Sequence, residues 1–229
     1  MSAEGESSCT ATKSPLDEAV RRCGGKMVER NGHSVAAHYG SSASEAAVCL
    51  RTVGMTDRSD RLTFSVTGEL EAVDDALAAL EPLAERTWAA RLADDRALAR
   101  CDAADRGQAL AVLEGQSEGV VVTSADCAAI GLIGPRAAHL LEAGEIDVDG
   151  DSPIVVLDAD SSFELLVDVA EGPELWNRML KAGGRFQLAC VGVEALEHLA
   201  ASHHLGPRST DLQGDPLRAR LLTFVPKSR

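Results

Sequence analysis

Aromatic residues are scarce in this sequence: they make up 3% of its 229 residues, as two Trp, one Tyr and four Phe. A core of this composition has to be built mainly from Ala, Val and Leu, because there are too few rings to fill it. Hydrophobic residues at 45% and charged residues at 25% are nevertheless ordinary for a globular protein. We expect one large domain or two small ones, with enough chain for a substantial core.

Positive charge is also in short supply. The chain has 22 Lys and Arg against 36 Asp and Glu, for a net charge of -14. Such a balance argues against nucleic acid or an anionic membrane as partner, because phosphate binding needs a cationic surface. No apolar run approaches the roughly 20 residues that span a bilayer, and the N-terminus lacks a signal-peptide pattern. Together with the reduced thiols inferred from the cysteines below, these absences predict a cytoplasmic protein.

The six cysteines include no C-x-x-C pair. Cys49, Cys101 and Cys190 each sit among apolar neighbours, which favours reduced core thiols over disulfides. His198 and His203 are five residues apart, so they do not share a helix face as a metal-binding H-x-x-x-H pair would. We therefore predict no metal site.

The common nucleotide-binding and hydrolase motifs are missing as well. There is no G-x-x-x-x-G-K-[ST] or G-x-G-x-x-G motif. The segment Gly115–Gly119 spells G-x-S-x-G, but a predicted helix precedes it and a predicted strand follows. A nucleophile elbow has the opposite order, so the motif does not indicate a serine hydrolase.

The clearest local structure in the chain is a predicted strand-turn-strand-helix unit in its last third. Apolar runs at Pro153–Leu157 and Phe163–Val169 bracket the polar segment Asp158–Ser162, which carries two carboxylates. A Gly-Pro-Glu helix start then opens Gly172–Gly183, where apolar residues recur at helical spacing up to a Gly-Gly stop.

Elsewhere helices and strands are mixed without a regular β-α-β alternation, which favours an α+β fold with mixed or antiparallel sheets. Helices are predicted within Pro15–Val28 and from Ser42 to Gly54, where Ser42-x-x-Glu45 suggests a capping box. Further helices are predicted at Glu69–Leu80, Asp102–Gly115, Gly134–Leu141 and Val193–His203, and strands at Arg61–Thr67, Thr87–Leu92, Ala97–Cys101, Val120–Thr123, Ala128–Ile133 and Leu221–Val225.

Two of these stretches resemble one another. R-L-T-F-S-V-T-G-E-L-E, which begins at Arg61, and D-C-A-A-I-G-L-I-G-P-R-A-A-H-L-L, which begins at Asp126, are each a strand that ends in Gly and leads directly into a helix. The echo suggests duplicated strand-helix halves packed on one another.

Several segments together resemble the folate-binding domain of the glycine-cleavage T-protein, or aminomethyltransferase, family. The segment E-A-A-V-C-L-R-T-V-G-M-T-D-R-S-D-R-L-T-F-S-V-T-G from Glu45 is similar to the opening of that domain, with Tyr39-Gly40 before it. A-I-G-L-I-G-P-R-A-A-H-L-L, F-E-L-L-V, L-W-N-R-M-L-K-A-G and V-G-V-E-A-L-E-H-L follow in the family's order. The resemblance implies a stand-alone folate-binding-type domain over residues 31–229, without the family's C-terminal barrel, after a mobile segment at 1–30.

The resemblance implies a tetrahydrofolate-dependent one-carbon transferase that acts on a small amine or amino acid. Family enzymes place an acidic D-D step where pterin and amine meet, and Asp94-Asp95 is the best match for it. A carboxylate suits this position because it accepts from pterin N–H groups and attracts a cationic amine. The same two residues also fit a solvated hairpin turn between the strands predicted around them.

The family's second acidic site is a G-E-x-G-[FY]-E turn, which matches Ala159-Asp160-Ser161-Ser162-Phe163-Glu164. Asp160 keeps the charge of the first Glu but is one methylene shorter, and both glycines are replaced; an ordinary turn role is the alternative. The resemblance implies folate-binding positions at Tyr39, Trp88, Asp160, Glu164 and Glu194.

One family feature is absent from the helix predicted at Val193. Aminomethyltransferases carry arginines there, one of which helps to hold folate, whereas Gly192–Ala200 contains Glu194 and no arginine. Loss of a bidentate carboxylate binder and gain of a negative charge both disfavour a polyglutamyl tail.

Two functional hypotheses follow. The first is a folate-dependent enzyme with Asp94, Asp95 and Asp160 as polar anchors in a central cleft. The second is a non-catalytic subunit of an amine-oxidising complex, similar to the γ subunit of sarcosine oxidase, which would have protein partners. A fold of this type whose pocket serves another small-molecule reaction lies between them.

Overall fold

A computed structural model describes residues 11–80, 83, 87–115, 119–146, 155–159, 162–202 and 220–221. Seven helices and thirteen strands occur in these ranges. The helices are α1 Asp17–Arg22, α2 Ser42–Arg51, α3 Leu70–Ala79, α4 Arg106–Gly115, α5 Ala137–Ala143, α6 Gly172–Gly183 and α7 Val193–Ala201. The strands are β1 Thr12–Lys13, β2 Lys26–Arg30, β3 His33–His38, β4 Gly54–Asp57, β5 Leu62–Gly68, β6 Thr87–Ala93, β7 Arg96–Cys101, β8 Val120–Ser124, β9 Ala128–Ile133, β10 Val155–Ala159, β11 Ser162–Val167, β12 Ala189–Cys190 and β13 Arg220–Leu221.

The strands form three sheets. A three-stranded sheet has the order β1-β3-β2, a six-stranded sheet β12-β4-β9-β11-β10-β13, and a four-stranded sheet β6-β7-β5-β8. The β1–β3 and β4–β12 pairs are parallel, and the other strand pairs are antiparallel. This confirms the predicted α+β class with mixed and antiparallel sheets.

Each of the two larger sheets packs its own core. The six-stranded sheet packs against α1, α5 and α6, and its centre holds the fully buried Trp176 and Met179. The four-stranded sheet packs against α3 and α4, and five of the thirteen buried residues of that cluster are alanines. The scarcity of aromatic residues is thus met by one core around the indole of Trp176 and a second core of alanine and aliphatic side chains around Phe64.

The folded unit begins earlier than predicted. Residues 1–30 were expected to be a mobile segment, but β1, α1 and β2 occupy much of 12–30. Leu16 and Val20 are fully buried in the main core, and β1 and β2 both pair with β3. Burial of these side chains and the strand pairing attach the segment to the domain, so the expected boundary at residue 31 is corrected.

The strand-glycine-helix echo is present in the structure. Gly68 ends β5 just before α3, and Gly134 lies between β9 and α5. A Cβ at Gly68 would lie 2.2 Å from the Gly119 carbonyl oxygen, and one at Gly134, where φ is +126°, would lie 2.4 Å from the Cys49 carbonyl oxygen. Both positions need glycine because another backbone approaches the turn.

The predicted strand-turn-strand-helix unit is also present, as β10, β11 and α6. β10 and β11 form an antiparallel hairpin from Val155 opposite Leu166 to Ala159 opposite Ser162. The turn residue Asp160 lies outside the described residues. Within the part of the chain that is described, no helix is long and apolar enough to cross a membrane.

Candidate functional site

The two larger sheets meet through the faces that point away from their helices. In β7 the alternation of side chains places Ala97, Ala99 and Cys101 in the helix-packed core, so Arg100 is on the opposite face. In β11, Leu165 and Val167 belong to the other core, and Glu164 is on the face away from it. Arg100 and Glu164 therefore meet between the sheets.

We call this region the arginine junction and define it by Arg58, Arg61, Arg100, Asp102 and Glu164. Glu164 is buried and is approached by three guanidinium groups. Its Oε1 lies 3.7 Å from Arg58 Nε and 3.8 Å from Arg61 Nη1, and its Oε2 lies 3.3 Å from Arg100 Nε. Arg61 Nε also donates to Asp102 Oδ1 at 2.8 Å. A buried carboxylate is tolerated here because cations surround it.

Arg100 is the structural centre of the junction, with 1% of its side chain exposed. Its Nη1 donates to Thr63 Oγ1 at 2.6 Å, and its Nη2 donates to the Arg58 carbonyl oxygen at 2.9 Å. Thr63 is the residue directly opposite Arg100 in the β5–β7 ladder. The guanidinium thus connects its own sheet to the loop that follows β4.

Gly131 makes room for Arg58 at the junction. It lies opposite Glu164 in the β9–β11 ladder and opposite Thr56 in the β4–β9 ladder. A Cβ at this position would lie 2.8 Å from Thr56 Cγ2 and 3.1 Å from Arg58 Cγ. The missing side chain lets the stem of Arg58 lie across β9 toward Glu164.

The two arginines of the β4–β5 loop differ in their electrostatic environment. Burial, followed by repulsion from Arg61, lowers the pKa of the Arg58 guanidinium. Burial acts in the same direction on Arg61, but Glu164 and Asp102 outweigh it, so the pKa of Arg61 is raised. Both remain cationic at neutral pH because an arginine pKa starts above about 12.

An incoming molecule would meet the accessible part of this junction. Arg58 and Arg61 keep 23% and 12% of their side chains exposed. Glu164 Oε2 is enclosed next to Arg100. A ligand could therefore reach the carboxylate only from the side of the other oxygen, Oε1. The junction offers cationic donors to an anionic group and one carboxylate oxygen to an N–H donor.

A second region is a cavity of about 480 Å³ beside β12, which is an edge strand of the six-stranded sheet. Its lining is formed by Cys23, Tyr39, Ser41, Ser44, Glu45, Val48, Leu180, Leu188, Ala189 and Cys190. The Tyr39 hydroxyl is enclosed and has no hydrogen-bond partner among the described residues. Burial, together with nearby Cys190 and Asp57, raises the pKa of Tyr39, so its phenol stays neutral.

Glu45 holds the wall of this cavity. Its Oε1 accepts from the Tyr39 N–H at 2.7 Å and its Oε2 from the Gly192 N–H at 2.9 Å. The expected capping box at Ser42 is therefore corrected: Ser41 is the N-cap of α2, and its side chain accepts from the Ser44 N–H. The Glu45 carboxylate serves tertiary contacts to β3 and the start of α7 rather than its own helix.

The structure distributes the predicted site residues over several places. Glu164 is in the junction, and the backbone of Trp88 lies opposite Arg100 in the β6–β7 ladder. Asp94 and Asp95 are exposed in the turn between β6 and β7. Arg100 follows Asp95 by five positions of extended chain, a distance of roughly 16 Å. The junction thus gathers Glu164 but neither hairpin acid.

The remaining predicted positions lie elsewhere. Tyr39 lines the cavity. Glu194 is half-buried in the first turn of α7. Asp160 lies outside the described residues.

Sequence reasoning did not find the three arginines. The available signal was Arg100, a charged residue inside the otherwise apolar strand A-L-A-R-C at 97–101. Such a residue is almost never buried without a partner, so it indicates an internal carboxylate. Nothing local identifies Glu164 as that carboxylate, because it lies 64 positions after Arg100 in the sequence.

The cysteines and metal-binding side chains complete the description. Cys49 and Cys101 are buried free thiols, while Cys23, Cys127 and Cys190 are free and half-buried. Among the described residues, no group of three or more His, Cys, Asp or Glu is placed to hold a metal ion.

Comparison with known proteins supports the resemblance seen in the sequence. No protein-family model matches the chain. Aminomethyltransferases from two strains of Desulfitobacterium hafniense, Y51 and DSM 10664 / DCB-2, are each 24% identical to it over 258 aligned positions. Each alignment covers 93% of this chain and 70% of the relative.

Solved structures share the fold. The glycine cleavage system aminomethyltransferase T from Bartonella henselae matches with a TM-score of 0.71 at 19% identity, over 85% of this chain and 63% of that one. A chain of heterotetrameric sarcosine oxidase from Corynebacterium sp. U-96 matches with a TM-score of 0.51 at 15% identity, over 78% of this chain and 97% of that one. The chain therefore resembles the aminomethyltransferases in sequence and has the fold of the glycine-cleavage T-protein.

Proposed function

We propose that this protein is a tetrahydrofolate-dependent one-carbon transferase of the aminomethyltransferase type, acting on a small amine or amino acid. The observation that carries the proposal is Glu164, a buried carboxylate at the edge of the arginine junction, in a fold shared with an aminomethyltransferase. By resemblance, it matches the last residue of the segment that the family uses to read folate. A buried, oriented acceptor suits the N–H edge of a pterin.

The residues of the junction fit the pterin end of a reduced folate. The exposed part of the Glu164 carboxylate can accept from a ring N–H, and the guanidinium groups of Arg58 and Arg61 lie beside it. Relatives carry an arginine in the segment that matches α7, and it helps to hold folate. The α7 helix has no arginine and carries Glu194, which disfavours a long anionic folate tail there. We propose a short-tailed reduced folate rather than a polyglutamate. When bound, it would supply the nitrogen atoms that carry the one-carbon unit.

The chain's own contribution would be binding and orientation. Glu164 would hold the N–H edge of the pterin ring. Arg61 and Arg100 would limit the movement of the Glu164 side chain, because they are themselves held by hydrogen bonds to Asp102, Thr63 and the backbone. For Asp94 and Asp95 we propose the role of solvated hairpin acids. Their exposure and their distance from Arg100 keep them from a ligand bound at Glu164.

Calorimetry tests this function directly. Tetrahydrofolate and its 5,10-methylene form should each give saturable heat with the folded protein. The Arg58→Met variant removes an accessible cation and should weaken binding by about tenfold, which corresponds to one charge-assisted hydrogen bond. Asp94→Asn is the matched control and should bind like the unmodified protein. No heat at millimolar ligand would refute the proposal.

A second candidate function is that of a non-catalytic subunit in an amine-oxidising assembly. It is favoured by the match to nearly the whole of one sarcosine oxidase chain, at 97% of that chain. The test is co-expression with any amine-oxidase subunits encoded beside this gene, followed by size-exclusion chromatography. Stable co-elution without folate binding would favour this function over the enzyme.

A further inference from the structure

Two cysteines that are distant in sequence share the Tyr39 cavity. Cys23 and Cys190 both line it, although 167 positions separate them. Burial raises the pKa of the Cys190 thiol, and the neighbouring Cys23 is the next cause. Two thiols that face one cavity can form a disulfide when side-chain rotation brings their sulfur atoms to bonding distance.

The backbone holds both thiols in place. Cys23 is the C-cap of α1, where its N–H donates to the Ala19 carbonyl oxygen at 3.1 Å. Cys190 is in β12, where the flanking N–H groups of Ala189 and Val191 donate to Val53 and Met55 at 3.2 and 2.8 Å. The pair is therefore preorganised by the fold.

Access distinguishes this pair from the other described cysteines. Cys23 and Cys190 are half-buried, whereas Cys49 and Cys101 are 2% and 0% exposed. Cys127 is half-buried as well, but its sulfur faces Thr63 at 3.3 Å and Arg100 at 3.6 Å. Among the described cysteines, only Cys23 and Cys190 are half-buried and line this cavity.

We propose that Cys23 and Cys190 form a thiol–disulfide site that small hydroperoxides oxidise, with the disulfide joining α1 to β12 across the cavity. The Cys23 sulfur attacks the peroxide, so that an S–O bond forms, the O–O bond breaks and the released oxygen takes the thiol proton as an alcohol or water. The Cys190 sulfur then attacks the Cys23 sulfenic acid. The S–S bond forms, the S–O bond breaks, and hydroxide leaves as water with the Cys190 proton.

Burial, followed by the neighbouring Cys23 and Glu45, raises the pKa of Cys190. A thiolate is the attacking form in both steps, so we assign the first attack to the other thiol, Cys23.

The disulfide would couple two parts of the domain. α1 belongs to the N-terminal segment that packs on the main core, and β12 leads directly to α7 through Gly192. A covalent link between them would restrain the unfolded chain over a long loop and narrow the cavity beside Tyr39. This role does not depend on folate binding at the junction.

Peptide mapping of the full-length protein tests the site. The reduced protein is treated with hydrogen peroxide and digested with trypsin without reductant. We expect residues 23–26 linked to residues 186–208, because cleavage follows Arg22, Lys26, Arg185 and Arg208. The intact mass should fall by about 2 Da through loss of two hydrogens, and dithiothreitol should reverse the change.

Three variants complete the experiment. Cys23→Ser and Cys190→Ser should each abolish the linked peptide, with folding checked by circular dichroism. Cys127→Ser, which removes another half-buried thiol, should leave it intact. A sulfinic acid at Cys23, unreacted thiols at both positions, or a link from either residue to Cys9 instead would overturn the proposal.

Discussion

The two ends of β7 present carboxylates in opposite environments. At its start, Asp94 and Asp95 lie in an exposed turn, and at its end Arg100 pairs with the buried Glu164. The resemblance to aminomethyltransferases assigns a function to acids at both places. Exposed charges are screened by water, whereas a buried carboxylate depends on its cations. The difference shows that an acidic residue that matches a family position can be exposed or buried. The match therefore does not predict how much the residue contributes to the free energy of unfolding.

The largest expected effect comes from removing the buried charge. Glu164→Gln keeps the side-chain volume but leaves Arg58, Arg61 and Arg100 without their shared anion. We expect the free energy of unfolding to fall by about 3–5 kcal/mol, the usual result of breaking a buried ion pair on one side. Urea denaturation followed by circular dichroism measures it. A loss below about 1 kcal/mol would mean that the junction is hydrated like the hairpin.

The next effect concerns the space that admits Arg58 to the junction. Gly131→Ala would place a methyl group 2.8 Å from Thr56 Cγ2, so we expect a loss of about 1–3 kcal/mol by overpacking. Gly107→Ala is the matched control in α4, where nothing lies within 4 Å of the added Cβ. The control should be neutral or stabilising by up to about 1 kcal/mol. Equal melting temperatures for the two variants would contradict the close approach.

A buried thiol should depend on pH in a different way from the ion pairs of the junction. Burial raises the pKa of Cys49 to about 12. The folded-state pKa exceeds the unfolded value of about 8.5. The contribution of the neutral thiol to the free energy of unfolding is therefore fully present below about pH 8.5 and is lost as the pH rises toward 12. We expect unfolding to become about 2 kcal/mol easier between pH 7 and pH 10 through this thiol. Cys49→Ala should flatten that part of the profile, and an unchanged slope would assign it to other groups.

The smallest effect belongs to the hairpin acids. Asp94→Asn and Asp95→Asn should each change the free energy of unfolding by less than about 0.5 kcal/mol, because both side chains are exposed. The same urea titration as for Glu164→Gln measures the contrast. A loss above about 1 kcal/mol at either position would show that the turn contributes to a packed site.

Much of the secondary structure was predictable from local patterns. The strand at Arg61–Thr67, the helix at Glu69–Leu80 and the unit ending at Gly183 agree with β5, α3 and α6 to within about two residues. Alternation, helical spacing and Gly or Pro boundaries are strong in these segments. The strands β1, β2, β3, β4 and β12 were not predicted. Two of them are only two residues long, and β12 is a strand because it pairs with β4.

The candidate site was predictable only in part. Glu164 was found through the family resemblance, whereas Arg58, Arg61 and Arg100 were not. Their association depends on contacts between residues far apart in the chain, such as Arg100 with Glu164 and Glu45 with Gly192. Side-chain periodicity gives the face of a strand, but it does not say which other strand that face meets.

The sequence by itself determined the α+β class, the glycine turns before α3 and α5, and the resemblance to aminomethyltransferases. Local backbone preferences and hydrophobic spacing are written into short stretches, so these features need no knowledge of the rest of the chain. The tertiary structure alone decided that Glu164 is enclosed by three arginines, that Asp94 and Asp95 face solvent, and that Cys23 and Cys190 line one cavity. Burial and ion pairing depend on which surfaces meet, because the cost of a charge is set by the groups that replace its water.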